Sequence, residues 1–306
     1  MEFTVIFLTK GRYEISNSLR SIFKISNYDI NFKLLIIDGN DDNRVLNLIT
    51  DKFSKYKNST KVIKQIKKGF MNACFQSIDL VDTKFFTFMY DDDELSPYYG
   101  SLVKKSLKQN RIFYAYGKVE NLLSKFVFVK PSIKFIDAEN ILDQYFKFNL
   151  TREFIPPNSP ICSVFRTNIL KEWRFILEKY SKIDKYFNFY LMKKNIGPDL
   201  LLLLISLTKE KQKILYSKNY IAKFSSHEKS MSIIYGNIYL GIGYFYTRVI
   251  YLKYFKKKLI FKKKFIKFKK YVYLKKLYFI IRGNFYLNKI KNNTLKHLLN
   301  ILKTIE

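Results

Sequence analysis

The first ninety residues alternate between two spacings of apolar positions. Runs of apolar, β-branched and aromatic residues at 3–9 (FTVIFLT), 33–38 (KLLIID), 60–66 (TKVIKQI) and 84–90 (KFFTFMY) read as strands. Between them, Ile15, Leu19, Ile22, Phe23 and Ile25 recur near helical spacing within 14–26, and 44–53 and 70–81 read as two further helices. Strand and helix in alternation predict an α/β fold with a parallel sheet covered by helices. Ligands of such sheets bind beyond the carboxyl ends of the strands. Three of the predicted strands end in polar clusters: Thr9-Lys10-Gly11-Arg12, Asp38-Gly39-Asn40-Asp41-Asp42 and Asp91-Asp92-Asp93-Glu94. The pattern therefore places all three clusters on one rim.

Beyond residue 95 the pattern is less regular. Ser96 followed by Pro97 predicts a helix N-cap with proline at the first position, and a helix to about Lys108. Segments 111–120 and 124–132 read as strands of a mixed or antiparallel region. A Pro-rich turn and a strand containing Arg166 follow in 154–170, then an apolar helix in 195–207 opened by Pro198 and Asp199. Residues 223–232 read as a polar loop. From about residue 231 the character changes. Residues 251–306 hold 17 Lys or Arg and one acid, Glu306, with Phe, Tyr, Ile and Leu interleaved. This predicts a boundary near 230, between a domain at 1–230 and a basic, aromatic-rich helical extension at 231–306.

Composition narrows the class. With 306 residues and 48% hydrophobic content the chain buries a substantial core, which excludes disorder over most of its length. Two cysteines, Cys74 and Cys162, without a CxxC spacing exclude a disulfide scaffold or a Cys-based zinc site and fit a reducing compartment. The N-terminus has Glu2 where a secretory leader carries positive charge, and its apolar stretch is short. The apolar, uncharged stretch nearest to a membrane span, 231–246, is short for one and holds three glycines. These features predict a cytoplasmic protein. The net charge of +31 is compatible with nucleic acid, an anionic membrane or anionic small substrates as partners. It is also what AT-rich coding gives, since Ile, Asn, Phe and Tyr are abundant alongside Lys. Its distribution is therefore more informative than its total.

Against this basic background the carboxylates stand out. Three aspartates at the tip of a buried strand repel one another, and a divalent cation removes that cost. Asp91 and Asp93, two apart on an extended chain, point the same way. Few hard oxygen ligands suit Mg2+ or Mn2+ shared with substrate phosphates. The structural alternative is a solvated acidic turn before a helix. Asp38 at the second strand end is placed either to meet the ribose or base of a nucleotide or to close an Asx-turn. Asp199 falls in the first turn of its helix, where the macrodipole and free amides keep a carboxylate ionised. It is then either a proton acceptor or an ordinary first-turn aspartate.

The stretches TVIFLTKGR, LLIIDGNDD, KKGFMNAC and FMYDDDEL, in this order and spacing over residues 3–95, resemble family 2 glycosyltransferases of the GT-A fold, which carry a DxD motif. SPICSVFR, GPDLLLLL and HEKSMS are similar, more weakly, to the acceptor-side elements of such enzymes. The resemblance implies a mostly parallel mixed sheet and transfer of a sugar from a nucleotide-diphosphate sugar to a saccharide or lipid-linked hydroxyl in cell-surface glycan synthesis. It further implies an inverting reaction that depends on Mn2+ or Mg2+. Carried over by position, Thr9 and Arg12 line the nucleotide pocket and Asp38 meets base or ribose. Asp91 and Asp93 hold the metal, with Asp93 the direct ligand, and Asp92 faces the nucleotide. Asp199 matches the base, although many relatives have an acidic pair where this chain has GPD. His227, in a loop that covers the donor diphosphate in related enzymes, touches phosphate or metal, unless it is a surface residue. Ser230, Ser232 and Arg166 are weaker candidates.

The tail has its own readings. Lys interleaved with aromatics through 251–290 suits peripheral contact with an anionic membrane, on the inner face of the cell membrane. The same composition can grip nucleic acid, which is disfavoured here, or can simply pack on the domain. Two alternatives to the transferase stand beside it. One is a two-metal nucleotidyl or phosphoryl transferase. The other is a basic nucleic-acid- or membrane-binding protein whose acidic turn is structural.

Overall fold

A computed structural model describes residues 2–12, 14–119, 127–146, 159–184, 187–225, 231–255 and 274; for 231–239 and 242 it describes the backbone path alone. Among the described residues nine strands form one mixed sheet. Four of them, β1 (Glu2–Thr9), β2 (Asn31–Asp38), β3 (Thr60–Lys64) and β4 (Phe85–Tyr90), are the predicted apolar runs. They lie in the order β3-β2-β1-β4, all parallel. Their apolar side chains are almost wholly buried on β1, β2 and β4, as a sheet covered on both faces requires.

The order continues past β4 through β8 (Ser163–Arg166), β6 (Phe113–Val119), β9 (Ile214–Phe224) and β5 (Asp93–Leu95), with β7 (Lys134–Ile136) also on β9. Here β8 runs antiparallel to both neighbours, and β5 and β7 run antiparallel to β9. The helices α1 (Ile15–Phe23), α2 (Arg44–Lys52) and α3 (Phe70–Ile78) are the predicted crossovers, and α4 is Tyr99–Gln109. Next come α5 (Ala138–Tyr145), α6 (Leu170–Ile183), a π-helical turn at Asn188–Lys193, α7 (Pro198–Lys209) and α8 (Met231–Phe255).

Several expectations change. Residues 127–133 form no strand, and 124–126 lie outside the described residues. Ser96 does not cap α4. Its hydroxyl accepts the Tyr98 amide at 3.2 Å in a turn, and the helix starts at Tyr99. Glu94 lies on β5 and pairs with Lys223 of β9 at 2.8 Å. Met231 and Ser232 belong to α8 rather than to a loop. The elements α5, α6 and β9 are additions. No helix among the described residues is long and apolar enough to cross a membrane.

Helix α8, the start of the segment assigned to the extension, packs on α7 and the π-helical turn. From Gly243 onward most of its side chains are buried. Tyr254 donates to Glu172 of α6 at 3.0 Å, Tyr251 exchanges a hydrogen bond with Thr208 of α7 at 2.6 Å, and the Tyr246 hydroxyl donates to Asp184.

Candidate active site

Parallel register puts Thr9 of β1 beside Asp38 of β2, Leu8 beside Tyr90 of β4, and Asp38 beside Lys64 of β3. The three polar clusters therefore do share one rim. They are also knitted together there. Asp91 Oδ2 accepts the Thr9 hydroxyl at 2.9 Å and the Lys10 amide at 2.7 Å, and the Thr9 oxygen accepts the Gly11 amide at 2.7 Å. The Arg12 guanidinium lies 3.4 Å from Asp91 Oδ1 and bonds Asp92. Opposite charge and directed donors thus offset the repulsion between Asp91 and Asp92.

On the β2 side, Asp38 is fully buried and both its oxygens are occupied. Oδ1 accepts the Asn40 amide at 3.0 Å and its side-chain Nδ2 at 2.9 Å; Oδ2 pairs with Lys64 Nζ at 2.6 Å. Asp38 therefore organises the rim from beneath. Asn40 in turn packs against Gly11, whose φ of +65° lies in the left-handed region. A Cβ on Gly11 would stand 2.2 Å from Asn40 Nδ2, so the close approach of the β1 and β2 loops needs glycine there.

Asp93 differs from its neighbours. It is buried on β5, where antiparallel pairing sets it beside Phe224. Burial pushes its carboxyl well above the usual range, and the charges of Asp92 and Asp91 push the same way; the Ser225 amide and Arg12 oppose them. A buried carboxylate beside two others, short of positive charge, is a setting that a hard divalent cation relieves. Among the described residues no three His, Cys, Asp or Glu converge as a complete protein cage. The donor set therefore fits an ion held through one or two carboxylates plus substrate oxygens, the usual habit of Mg2+.

Asp199 sits at the start of α7, as the pattern Gly197-Pro198 predicts, but its environment is drier than the sequence suggests. A small pocket is walled by Phe70 and Cys74 of α3, Phe88 and Tyr90 of β4, Trp173 of α6, and Pro198, Asp199 and Leu202 of α7, with Pro160 beside them. Asp199 Oδ1 is buried and has no hydrogen-bond partner among the described residues. Loss of water raises its carboxyl to about 6, while the amides of Leu200 and Asp199 itself pull downward. Desolvation thus outweighs the helix terminus, and the group remains ionised at neutral pH yet is a stronger base than a solvated aspartate. Burial is also the first cause of the raised Tyr90 hydroxyl, with the charges of Asp199, Asp93 and Asp92 among the others. Tyr90 therefore stands between the pocket and the aspartate cluster.

The structure brings together Thr9, Arg12, Asp91, Asp92 and Asp93, with Asp38 on the same rim and Asp199 across Tyr90. Arg166 is elsewhere: it pairs with Phe85 at the opposite end of β4 and binds Glu210 at 3.0 Å and Asn110. His227 and Ser230 lie outside the described residues, as does most of 251–290. Three residues were not anticipated. Lys64 was legible from its place at a strand end beside Asp38. Trp173, the single tryptophan, donates from Nε1 to Pro198 O at 2.8 Å and supports the α7 start. Cys74, buried on α3, lines the Asp199 pocket.

Comparison with solved structures finds S. aureus TarS residues 1–349 in complex with UDP-GlcNAc at 15% identity and TM-score 0.61, covering 100% of this chain and 80% of that one. The UDP complex of the same TarS fragment matches at 14% identity and TM-score 0.59 with the same coverage. Longer TarS matches at 13% identity and TM-score 0.60, with 48% of its length covered. The likeness is one of fold, the GT-A architecture. Comparison with curated proteins finds no match. The family model described as glycosyl transferase family 2 matches residues 5–174, more than half of the chain, and the protein belongs to that family of glycosyltransferases.

Proposed function

We propose that this glycosyltransferase moves a sugar from a nucleotide-diphosphate donor to a hydroxyl of a saccharide or lipid-linked acceptor, with inversion, in cell-surface polysaccharide synthesis. The observation that carries the reading is Asp199: a carboxylate with one unpartnered oxygen, facing a pocket that adjoins the aspartate cluster through Tyr90. The UDP and UDP-GlcNAc complexes of TarS, which shares the fold, support a nucleotide-diphosphate sugar as the donor class.

In the proposed reaction, Asp199 accepts the proton of the acceptor hydroxyl as its oxygen bonds to the anomeric carbon. The bond from that carbon to the diphosphate breaks on the opposite side, and the nucleoside diphosphate leaves with the electron pair. Arg12 faces the donor side, on a β1 loop whose amides are held by Asp91 and Thr9. Asp38, with Asn40 and Lys64, shapes the nucleotide end of the rim. Asp93 and Asp91, the latter braced by Thr9 and Lys10, would hold Mn2+ or Mg2+. Such an ion would supply Lewis-acid neutralisation of the leaving diphosphate. The composition of 251–290 supports peripheral contact with the inner face of the cell membrane.

A donor screen tests the reading. Purified protein is offered a panel of sugar nucleotides with Mn2+ or Mg2+, and nucleoside diphosphate release is measured with and without EDTA. Release from one donor class, lost in Asp199→Asn, is expected. Salt-sensitive binding of DNA or RNA with no nucleotide binding would instead favour the binding-protein alternative.

A further inference from the structure

Little holds the Asp199 carboxylate directly. Its hydrogen bonds come from backbone amides, those of Leu200 and its own, and Oδ1 has none. Where the carboxylate stands is therefore decided by where the Ile196–Pro198 turn stands. Three elements hold that turn, two of them distant in sequence. The Ile196 amide donates to Tyr190 O of the π-helical turn at 2.9 Å. Trp173 of α6 holds Pro198 O. The third element is α8.

The contact with α8 is unusually close. Gly197 has φ +98°, and a Cβ there would lie 2.0 Å from Thr247 Oγ1. One turn earlier on α8, a Cβ on Gly243 would lie 2.3 Å from Ile196 Cγ2 and 2.9 Å from Ile196 Cβ. The Thr247 hydroxyl donates to Gly243 O at 2.9 Å and reaches Gly197 O at 3.5 Å. Two glycines, one on each side, let the helix and the turn meet at backbone distance. Buried contacts this tight transmit a displacement of one partner to the other.

We infer that α8 is a positioning element for the proposed base: Gly243 and Thr247 fix the Ile196–Gly197 turn and, through it, the place of Asp199 opposite the acceptor hydroxyl. The inference rests on the reading of Asp199 as base. It gives the C-terminal part of the chain a role in turnover that is separate from any membrane contact. A misplacement of the base of about 1 Å costs on the order of 100-fold in rate, without equal loss of donor binding.

The test is a set of steady-state measurements on the full chain. Gly243→Ala, which drives a methyl into Ile196, is expected to lower kcat by roughly tenfold or more while donor KM stays within about twofold. It also shifts the acid limb of the pH–rate profile. Cys74 of α3 and Tyr90 of β4, the other titratable groups in its pocket, are pushed upward by burial and away from that limb; Asp93 is also pushed upward but lies outside the pocket and away from Gly243, so a change in the limb between variants reports Asp199. Adding Ile196→Ala, which removes the clashing methyl, restores part of kcat in the double variant. If Gly243→Ala does not fold, Thr247→Val, compared with Thr247→Ser, reads the same contact, with turnover lowered in the first and kept in the second. Unchanged kcat and an unchanged acid limb in the variants that fold would overturn the inference. So would losses of kcat that only follow the folded fraction. Activity retained in Asp199→Asn would be a different failure, that of the base assignment itself.

Discussion

Replacing Asp199 by Asn separates stability from turnover. In the folded protein its carboxyl is raised from 3.8 to about 6, chiefly by burial. The sign follows from proton linkage: between these values the folded state binds more protons than the unfolded one, so stability falls as pH rises from about 4 to about 6. Above that window the full cost of the buried charge is present. A shift of about two units corresponds to about 3 kcal/mol. Residual solvent access to the residue, and the cost of leaving an amide NH2 unpartnered where Oδ1 now stands, reduce the net gain in the variant to about 2 kcal/mol. For a chain of this size that is a rise of about 5 °C in Tm at pH 7. The assay is thermal unfolding from pH 4 to pH 8, without donor, alongside turnover. The two proteins should melt together near pH 4 and diverge through pH 6, with the Asn protein the more stable and slower by about 100-fold or more. Parallel melting curves, or a less stable Asn protein at pH 7, would show that the carboxylate is held by favourable contacts, and the argument from its dry pocket would be wrong.

Other consequences can be checked more briefly. Asp93→Ala should abolish transfer and remove the metal dependence of UDP binding in calorimetry; full turnover of this variant in EDTA would sink the metal assignment. Lys64→Met leaves the buried Asp38 without its cation and should lower stability by about 2 kcal/mol, read by urea unfolding, with weaker UDP binding. Gly11→Ala sets a Cβ against Asn40 at a left-handed position, so donor KM should rise and stability should fall by about 1–3 kcal/mol. Trp173→Phe removes the donor to Pro198 O and should cost about 1–2 kcal/mol in the same unfolding assay, together with a lower kcat.

The parts of the fold that could be read from the sequence are those whose signal is local. The β1, β2 and β4 runs are short, apolar and closed by polar clusters, and parallel register then obliges Thr9, Asp38 and Asp91 to meet on one rim. Strand β9 escaped because Ser217, Lys218 and Asn219 break its apolar pattern. It is a strand because β6, β7 and β5 all pair with it, and such pairing carries no local trace. The candidate site divides in the same way. Thr9, Arg12 and the aspartates stand at the ends of readable elements. The contribution of Trp173, and the roles of Gly243 and Thr247, depend on contacts across 25 to 50 residues of chain.

Asp91, Asp93 and Asp199 are one residue type in three settings, and the differences between the settings are what assign roles. Asp91 receives a hydroxyl, an amide and a guanidinium, so its charge is met by the protein itself. Asp93 is buried with like charges first among its electrostatic neighbours, so its charge calls for a partner from outside the chain. Asp199 has lost water without gaining a countercharge, which disfavours its ionised form and makes it a better proton acceptor. A motif of aspartates does not distinguish these cases, because burial and donors are supplied by β5, β9, α3 and α6. The distinction has a measurable form. Neutralising Asp91 should loosen the junction of β1 and β4 and lower stability. Neutralising Asp199 should raise stability and lower turnover, and the opposite signs separate a carboxylate whose charge the protein itself meets from one left without a countercharge.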